Sequence, residues 1–289
     1  MTTHRGSMAY IEKDYIAVNH IEREFYFQGK YGSKGEKRDK KKHSSLEIKE
    51  YNHKQQEKKI RRLIQANFFE HDYYVTLKYK KGTRKDIKGF QDDLSKFLRI
   101  MRDKYKRLGV PFKFIYRIEI GKLGGPHVHI IFNRTQGTDT MIKESWKRAS
   151  EDAGSFQMET LDNENGFERL AAYICKQPDE EIKGQLKFAL VEESNKKVFT
   201  VSTSRNLIRP EPVKKNYVHW TMKKILENGP TPTKGFKIDK DSIVTGINPF
   251  NGFTYLWYRE SRIDPISREE YENGCEDKPI CQHKRKISH

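Results

Sequence analysis

The sequence lacks any apolar segment long enough to cross a membrane. A membrane-spanning helix needs about 18 to 20 consecutive apolar residues, and the chain contains no such run. Its first residues also lack the apolar segment of a secretory signal peptide. We therefore expect a cytoplasmic protein that has no membrane partner.

Cysteine is scarce as well. The chain has three cysteines, an odd number without the spacing of a disulfide framework, which indicates reduced thiols. Cys275 and Cys281 lie with His283 in the C-terminal tail, where the three side chains together could bind zinc. Their loose spacing favours an unstructured tail instead.

The sequence also lacks the common motif that binds nucleotide phosphates. The motif GxxxxGK[ST], whose backbone amides cradle nucleotide phosphates, does not occur in the sequence. The chain therefore has no recognisable helicase motor of its own.

Positive charge, by contrast, is in excess. The chain contains 57 Lys and Arg residues against 40 Asp and Glu, which gives a net charge of +17 and a pI near 9.5. Hydrophobic residues make up 35% of the chain and charged residues 34%, so about one domain's worth of core is expected between solvated basic segments. This charge favours nucleic acid as the partner, through phosphate contacts that weaken as salt rises.

The hydrophobic pattern divides the chain into three parts. Residues 1–65 are too charged to build a core, and we expect a basic N-terminal arm that is partly helical or disordered. Residues 66–212 carry the regular patterns of a compact domain. Residues 213–289 are expected to form a small C-terminal appendage with a helix, a hairpin at Asn251-Gly252 and a basic tail.

The central part reads as strands that alternate with helices. Alternation of apolar and polar residues indicates strands, and apolar residues three or four apart indicate helices. Asn165, with Glu168 three residues later, has the spacing of a helix N-cap. The predicted elements are a strand at 73–80, a helix at 86–108, strands at 114–120 and 127–132, a helix at 138–154, a strand at 156–161, a helix at 165–177 and strands at 185–191 and 197–202.

The hairpin at residues 116–134 carries the best indication of chemistry. Because side chains alternate along a strand, His127 and His129 share one face while Val128 faces the core. The same alternation on the preceding strand brings Glu119 beside the two histidines. A His-x-His pair alone is more often incidental, but two imidazoles with a carboxylate are suitable ligands for a divalent metal. We therefore predict a metal site at Glu119, His127 and His129.

The helix at residues 165–177 carries a candidate nucleophile. On a helical wheel Arg169, Tyr173 and Lys176 lie together, opposite the apolar stripe. The phenol of tyrosine has a pKa of about 10, so a phenolate at neutral pH needs nearby cations. With a metal that polarises a phosphate, Tyr173 could attack a DNA phosphodiester to form a 5′-phosphotyrosine and release a 3′-hydroxyl. Taken alone, Tyr173 is more readily explained as a surface tyrosine.

The order of YVTLKY, RIEIGKLGGPHVHIIF and AAYICK resembles the HUH endonucleases, most closely the rolling-circle replication initiators of plasmids and phages. In that family a His-hydrophobic-His motif supplies metal ligands, here His127 and His129. A downstream Tyr-x-x-Lys, here Tyr173 and Lys176, supplies the nucleophile and its cation. Glu119 matches the polar third ligand by position. The resemblance covers about residues 70–210 and implies Mg²⁺ or Mn²⁺ as cofactor.

The resemblance also implies a fold and a DNA-binding face. The fold is α+β, with a ferredoxin-like or RNA-recognition-type antiparallel sheet flanked by helices. The metal site would lie on the open face of the sheet with the tyrosine helix alongside. Lys78 and Arg117 would line that face, and together with Arg169 they are the DNA-binding candidates.

Two details refine the functional prediction. Gln177 stands where initiators with two nucleophilic tyrosines carry the second one, which favours a one-tyrosine enzyme. The histidine motif precedes the tyrosine, which favours an initiator over a relaxase. The expected partners are single-stranded DNA at a replication origin, duplex origin DNA and a host helicase; both a monomer and a dimer are compatible with the sequence. A relaxase, a single-strand transposase and a non-catalytic nucleic-acid-binding protein are the alternatives.

Overall fold

The computed structural model describes residues 10–27, 44–83, 85–121, 125–176, 200–217, 222–248 and 252–274. The chain divides into two compact units, Gln56–Ile208 and a second made of Met1–Gln55 with Arg209–His289. In chain order the elements are β1 (Tyr10–Ile16), β2 (His20–Phe27), α1 (Ser45–Asn67), β3 (Tyr73–Tyr79), α2 (Ile87–Arg107), β4 (Phe114–Ile120), β5 (Pro126–Phe132), α3 (Thr138–Ala149), β6 (Ala153–Thr160), α4 (Glu168–Cys175), β7 (Ser202–Thr203), β8 (Val213–Tyr217), α5 (Lys223–Asn228), β9 (Phe236–Ile238), β10 (Val244–Ile247), β11 (Thr254–Arg262) and α6 (Arg268–Glu272), with 3₁₀ turns at Glu164–Phe167 and Lys240–Ser242.

The central unit is built on a five-stranded antiparallel sheet. The strand order is β6-β3-β5-β4-β7. Helices flank the sheet, and the described residues form no closed barrel. The predicted α+β fold with an antiparallel sheet is therefore confirmed.

One face of this sheet packs against α2 and α3. Side chains of β3 and β5 that point to this face, such as Val75, Leu77 and Val128, are fully buried in one cluster with Phe97 of α2 and Trp146 of α3. The apolar residues that recur at every second position of the strands pack here against the apolar residues that recur every three or four positions of the helices. This cluster is the main core of the unit.

The other face is covered only in part. Ile115 of β4 and Ile131 of β5 pack there with Ile64 of α1 and with Ala171 and Ile174 of α4. This second cluster holds α4 against the sheet. The polar side chains of β3, β4 and β5 lie on the same face further along the strands, where the candidate site is found.

Two predicted helix boundaries are wrong. The helix predicted to end at Gly154 ends at Ala149, and Gly154 lies in β6, where a Cβ would overlap the backbone of Tyr79. Asn165 is not an N-cap: its φ is 51°, and α4 begins at Glu168 after the left-handed Phe167 (φ 61°). Burial of the Phe167 ring, which is 3% exposed, stabilises a backbone conformation that is unfavourable for a residue with a side chain. Tertiary packing overrode the local capping signal.

The second unit contains a six-stranded sheet. Its strands follow the order β10-β11-β2-β1-β8, and β9 pairs with β11. Residues 10–27, assigned above to a basic arm, thus form two strands of this sheet. Charges that suggested solvation are paired: Arg23 lies 3.6 Å from Glu12, 3.6 Å from Asp14 and 3.4 Å from Glu260. A composition-based reading cannot detect such pairing, because it depends on how β1 and β2 pair and, for Glu260, on a strand distant in sequence.

Some predicted features lie outside the described residues. They are the strand at 185–191, most of the strand at 197–202, Gln177, and the tail with Cys275, Cys281 and His283. Within the described ranges, no helix combines the length and the apolar character that a bilayer crossing requires.

Candidate active site

Strand pairing brings the predicted metal ligands together. In the antiparallel ladder Glu119 of β4 lies opposite His127 of β5, and His127 lies opposite Lys78 of β3. The next row on the same face aligns His129 between Arg117 and Thr76. A shift of one residue in either pairing would turn these side chains to the opposite face, so the buried core that sets the register also sets the site.

The three predicted ligands form a possible metal-binding cluster. Glu119 Oε2 lies 3.3 Å from His129 Nε2 and 3.6 Å from His127 Nε2. Ligand atoms of the three residues all lie within 4.8 Å of one another. This spacing is close enough for all three to reach one ion.

His129 has the environment of a metal ligand. Its Nδ1 lies 3.0 Å from the hydroxyl oxygen of Thr76, while its Nε2 is buried and makes no hydrogen bond of good geometry. When Nδ1 carries the proton and donates it to Thr76, Nε2 keeps its lone pair for a metal. A set of two imidazole nitrogens and one carboxylate oxygen suits a divalent ion. The residues present therefore fit the implied metal.

The charge state of Glu119 supports the same conclusion. Burial raises the pKa of this carboxyl, but polar contacts with His127 and His129 and the charge of Arg117 outweigh burial and hold the pKa well below its usual range. Glu119 is therefore ionised at neutral pH. An ionised carboxylate is the form that binds a metal cation.

Tyr173 lies beside the histidine cluster. Its side chain is 47% exposed, and its ring centroid lies 5.3 Å from that of His129 at an interplanar angle of 88°. The ring of Tyr74 contacts both, stacked on His129 at 5.6 Å and edge-on to Tyr173 at 6.0 Å. Burial, then the neighbouring Tyr173 and Glu119, raises the pKa of Tyr74 above the usual value. Tyr74 therefore stays a neutral phenol, and Tyr173 is the accessible one.

The two cations predicted near Tyr173 differ in their position relative to helix α4. Arg169 is exposed on the same helix and lines the cleft beside Tyr173. Helix α4 ends at Cys175, so Lys176 has non-helical backbone angles (φ −49°, ψ 130°) and does not extend the helical face. Its side chain is exposed, and its backbone N–H donates a 3.2 Å hydrogen bond to the carbonyl oxygen of Tyr173. The helical-wheel argument for Lys176 therefore does not apply.

Arg117 does not lie on the open surface. It is 3% exposed, its Nη1 donates a 2.9 Å hydrogen bond to the carbonyl oxygen of Ile174, and the same atom lies 3.8 Å from Glu119 Oε1. The prediction that it contacts DNA does not fit this burial. The alternation of side chains along β4 predicted the correct face for Arg117, but α4 covers that part of the face.

A cleft of about 580 Å³ adjoins the cluster. Lys78 lines it and is exposed, as predicted from its parity on β3. Sequence reasoning missed further lining residues, among them Tyr74, Thr76, Gln157 and Glu159. Because side chains alternate along a strand, the sequence could have shown that the two residues on β3 share a face, as do the two on β6. Only the pairing of β3 with β5 and β6 brings these faces to the histidines.

Fold and site together describe an α+β domain whose antiparallel sheet carries a His-His-Glu cluster under a tyrosine-bearing helix. Residues 72–178 match the model of a family described as replication-associated protein. The matched range contains all three candidate metal ligands and Tyr173. The chain matches no curated protein and no solved structure. Over this range the chain is similar to replication-associated proteins.

Proposed function

We propose that this protein is a metal-dependent, site-specific endonuclease and ligase of single-stranded DNA that initiates rolling-circle replication. The observation that carries the proposal is the contact between Tyr173, an accessible tyrosine, and His129, a member of the Glu119–His127–His129 cluster. This contact brings the candidate nucleophile next to the candidate metal ligands. The family match over residues 72–178 adds independent support.

The proposed reaction is a transesterification. The Tyr173 oxygen attacks the phosphorus of a DNA phosphodiester, and an O–P bond to the tyrosine forms as the P–O3′ bond breaks. The phenol gives up its proton and the departing 3′ oxygen takes one up, so no water or oxidant is consumed. Because the phosphotyrosine retains the energy of the diester bond, the reverse reaction can rejoin the strand.

The chain's own residues bind and orient the substrate. Glu119, His127 and His129 would hold Mg²⁺ or Mn²⁺, which supplies Lewis-acid polarisation of the scissile phosphate. Lys78 and Arg169 line the same cleft as Tyr173 and offer positive charge to the DNA backbone. Lys176, exposed at the end of α4, is the proposed cation that neutralises the phosphotyrosine.

Single-stranded and duplex DNA at a replication origin are the proposed partners. The released 3′-hydroxyl would prime synthesis by a polymerase. Since the sequence has no nucleotide-binding motif of the GxxxxGK[ST] type, a host helicase would unwind the template. The cytoplasmic location expected from the sequence stays a prediction. A relaxase and a single-strand transposase are the alternative enzymes.

Covalent capture tests the proposal. The wild-type protein is incubated with a pool of single-stranded DNA fragments and Mn²⁺, denatured and separated, and the attached residue is identified by mass spectrometry. We expect DNA on Tyr173, no adduct with Tyr173→Phe, and a normal adduct with Tyr51→Phe, which removes another exposed phenol. An adduct that persists in Tyr173→Phe would remove this residue from the mechanism.

A non-catalytic nucleic-acid-binding protein is the alternative from another class. Its support is the net charge of +17, because binding of nucleic acid through basic residues requires no metal. The double substitution His127→Ala with His129→Ala separates the two functions. The nickase loses cleavage but keeps most of its phosphate-driven affinity, whereas a simple binding protein shows no cleavage and no metal dependence before or after the change.

A further inference from the structure

Side chains from other elements hold helix α4 and the 3₁₀ turn that precedes it. In that turn the carbonyl of Gly166 accepts a 3.0 Å hydrogen bond from the amide of Gln65 on α1. At the end of α4 Arg117 of β4 donates the 2.9 Å hydrogen bond to the carbonyl of Ile174. Ile174 follows Tyr173 directly, so the second contact fixes the backbone beside the candidate nucleophile.

The contact with Ile174 meets a need of the helix itself. The last four carbonyl groups of a helix have no partner within it, and α4 ends at Cys175. A cationic donor satisfies such a carbonyl and also complements the negative end of the helix dipole. Arg117 therefore stabilises the last turn of α4 in its present position over the sheet.

The same guanidinium acts on the carboxylate of Glu119. Arg117 Nη1 faces Oε1 of this carboxylate at 3.8 Å, whereas Oε2 faces the Nε2 atoms of His127 and His129. The carboxylate is thus oriented with one oxygen towards the cation and the other towards the imidazoles. Outer contacts of this kind tune how well a ligand binds a metal.

We propose that Arg117 is a positioning residue that joins the two halves of the site, holding Glu119 in its ligating orientation and the Tyr173 backbone over the cluster. This inference rests on the proposed function for its catalytic consequence. It replaces a DNA-contact role, because a guanidinium that is 3% exposed and covered by α4 cannot meet a phosphate in this structure. Arginine suits the task because its charge persists when buried.

The test uses Arg117→Lys and Arg117→Met in the full chain. Mn²⁺ binding is measured by calorimetry without DNA, and we expect about 10- to 100-fold weaker binding for Arg117→Met, with a smaller loss for Arg117→Lys, the range typical when a contact behind a metal ligand is removed. The rate of adduct formation should fall, while the KM for DNA changes by less than about threefold because no phosphate contact is lost.

DNA affinity separates positioning from direct contact. In a Tyr173→Phe background, binding of single-stranded DNA is followed by fluorescence anisotropy over a range of salt concentrations. Arg117→Met should leave the salt dependence unchanged, whereas the control Lys78→Met should reduce the slope of log K against log salt by about 0.7, the value for one contact to single-stranded DNA. A reduced slope for Arg117→Met would overturn the proposal and restore the DNA-contact role.

Two further outcomes are decisive. If Arg117→Met unfolds, the comparison moves to Arg117→Lys, and wild-type Mn²⁺ affinity together with a wild-type adduct rate in that folded variant would refute positioning. If the wild-type protein forms no adduct at all, the proposed function fails, but the Mn²⁺ measurement still tests the link between Arg117 and Glu119.

Discussion

Replacing Thr76 by valine tests the metal site without touching a ligand. The Thr76 hydroxyl lies 3.0 Å from Nδ1 of His129, and both side chains are buried. Valine keeps the β-branched shape that a strand favours but cannot accept the proton of Nδ1. The imidazole then has no partner that selects the tautomer with a free Nε2.

The size of the effect follows from two contributions. Leaving a buried ring nitrogen without its hydrogen bond costs about 1–3 kcal/mol of folding stability. Losing the contact behind a metal ligand weakens metal binding by about 10- to 100-fold, and each factor of ten corresponds to about 1.4 kcal/mol. At Mn²⁺ concentrations that saturate both proteins, the variant should therefore gain about 1.4–2.8 kcal/mol less stability from the metal than the wild type.

Denaturant unfolding with and without Mn²⁺ measures both contributions. Thr76→Ser is the matched control, because it keeps the hydroxyl and should retain most of the metal-dependent stabilisation. Equal Mn²⁺-dependent stabilisation of Thr76→Val and the wild type would refute the reasoning. The metal would then bind elsewhere, or without the Nε2 atom of His129.

Further predictions concern charge and thiol chemistry. Lys78→Ala and Arg169→Ala should each weaken binding of single-stranded DNA across all sequences and lower the salt slope by about 0.7; fluorescence anisotropy measures this, and a change for some sequences but not others would indicate base contacts instead. Burial raises the pKa of the Cys175 thiol to about 12, so at pH 8 the thiolate that reacts with a disulfide reagent is on the order of a thousandfold rarer than for a free cysteine. Peptide mass spectrometry should find Cys175 unlabelled in the native protein and labelled after denaturation, and native labelling at the rate of a free thiol would contradict its burial.

Much of the central unit was predictable because its local patterns agree with its tertiary structure. Alternation along β3, β4 and β5 separated the buried face from the polar face, and the helical pattern of α2 was strong. The same alternation predicted that Glu119, His127 and His129 share a face. Local periodicity determines these features, because each lies within a single element or a single hairpin.

The errors arose where residues distant in sequence meet. The apolar stripe of α4 was read correctly, but its start after the left-handed Phe167 follows no local signal. Charged strands near the N-terminus looked solvated because the partners of Arg23 include Glu260, far along the chain. In both cases tertiary contacts override local propensity.

The sequence alone determined which residues have the chemistry: two histidines and a glutamate on one hairpin, and a tyrosine on the polar side of a short helix. Only the tertiary structure decided how they meet. Strand order brings Thr76 behind His129, and α4 crosses the sheet so that Tyr173 contacts the cluster while Arg117 is buried beneath it. The reason is physical: parity along a strand selects a face, but which part of that face stays open depends on what packs over it.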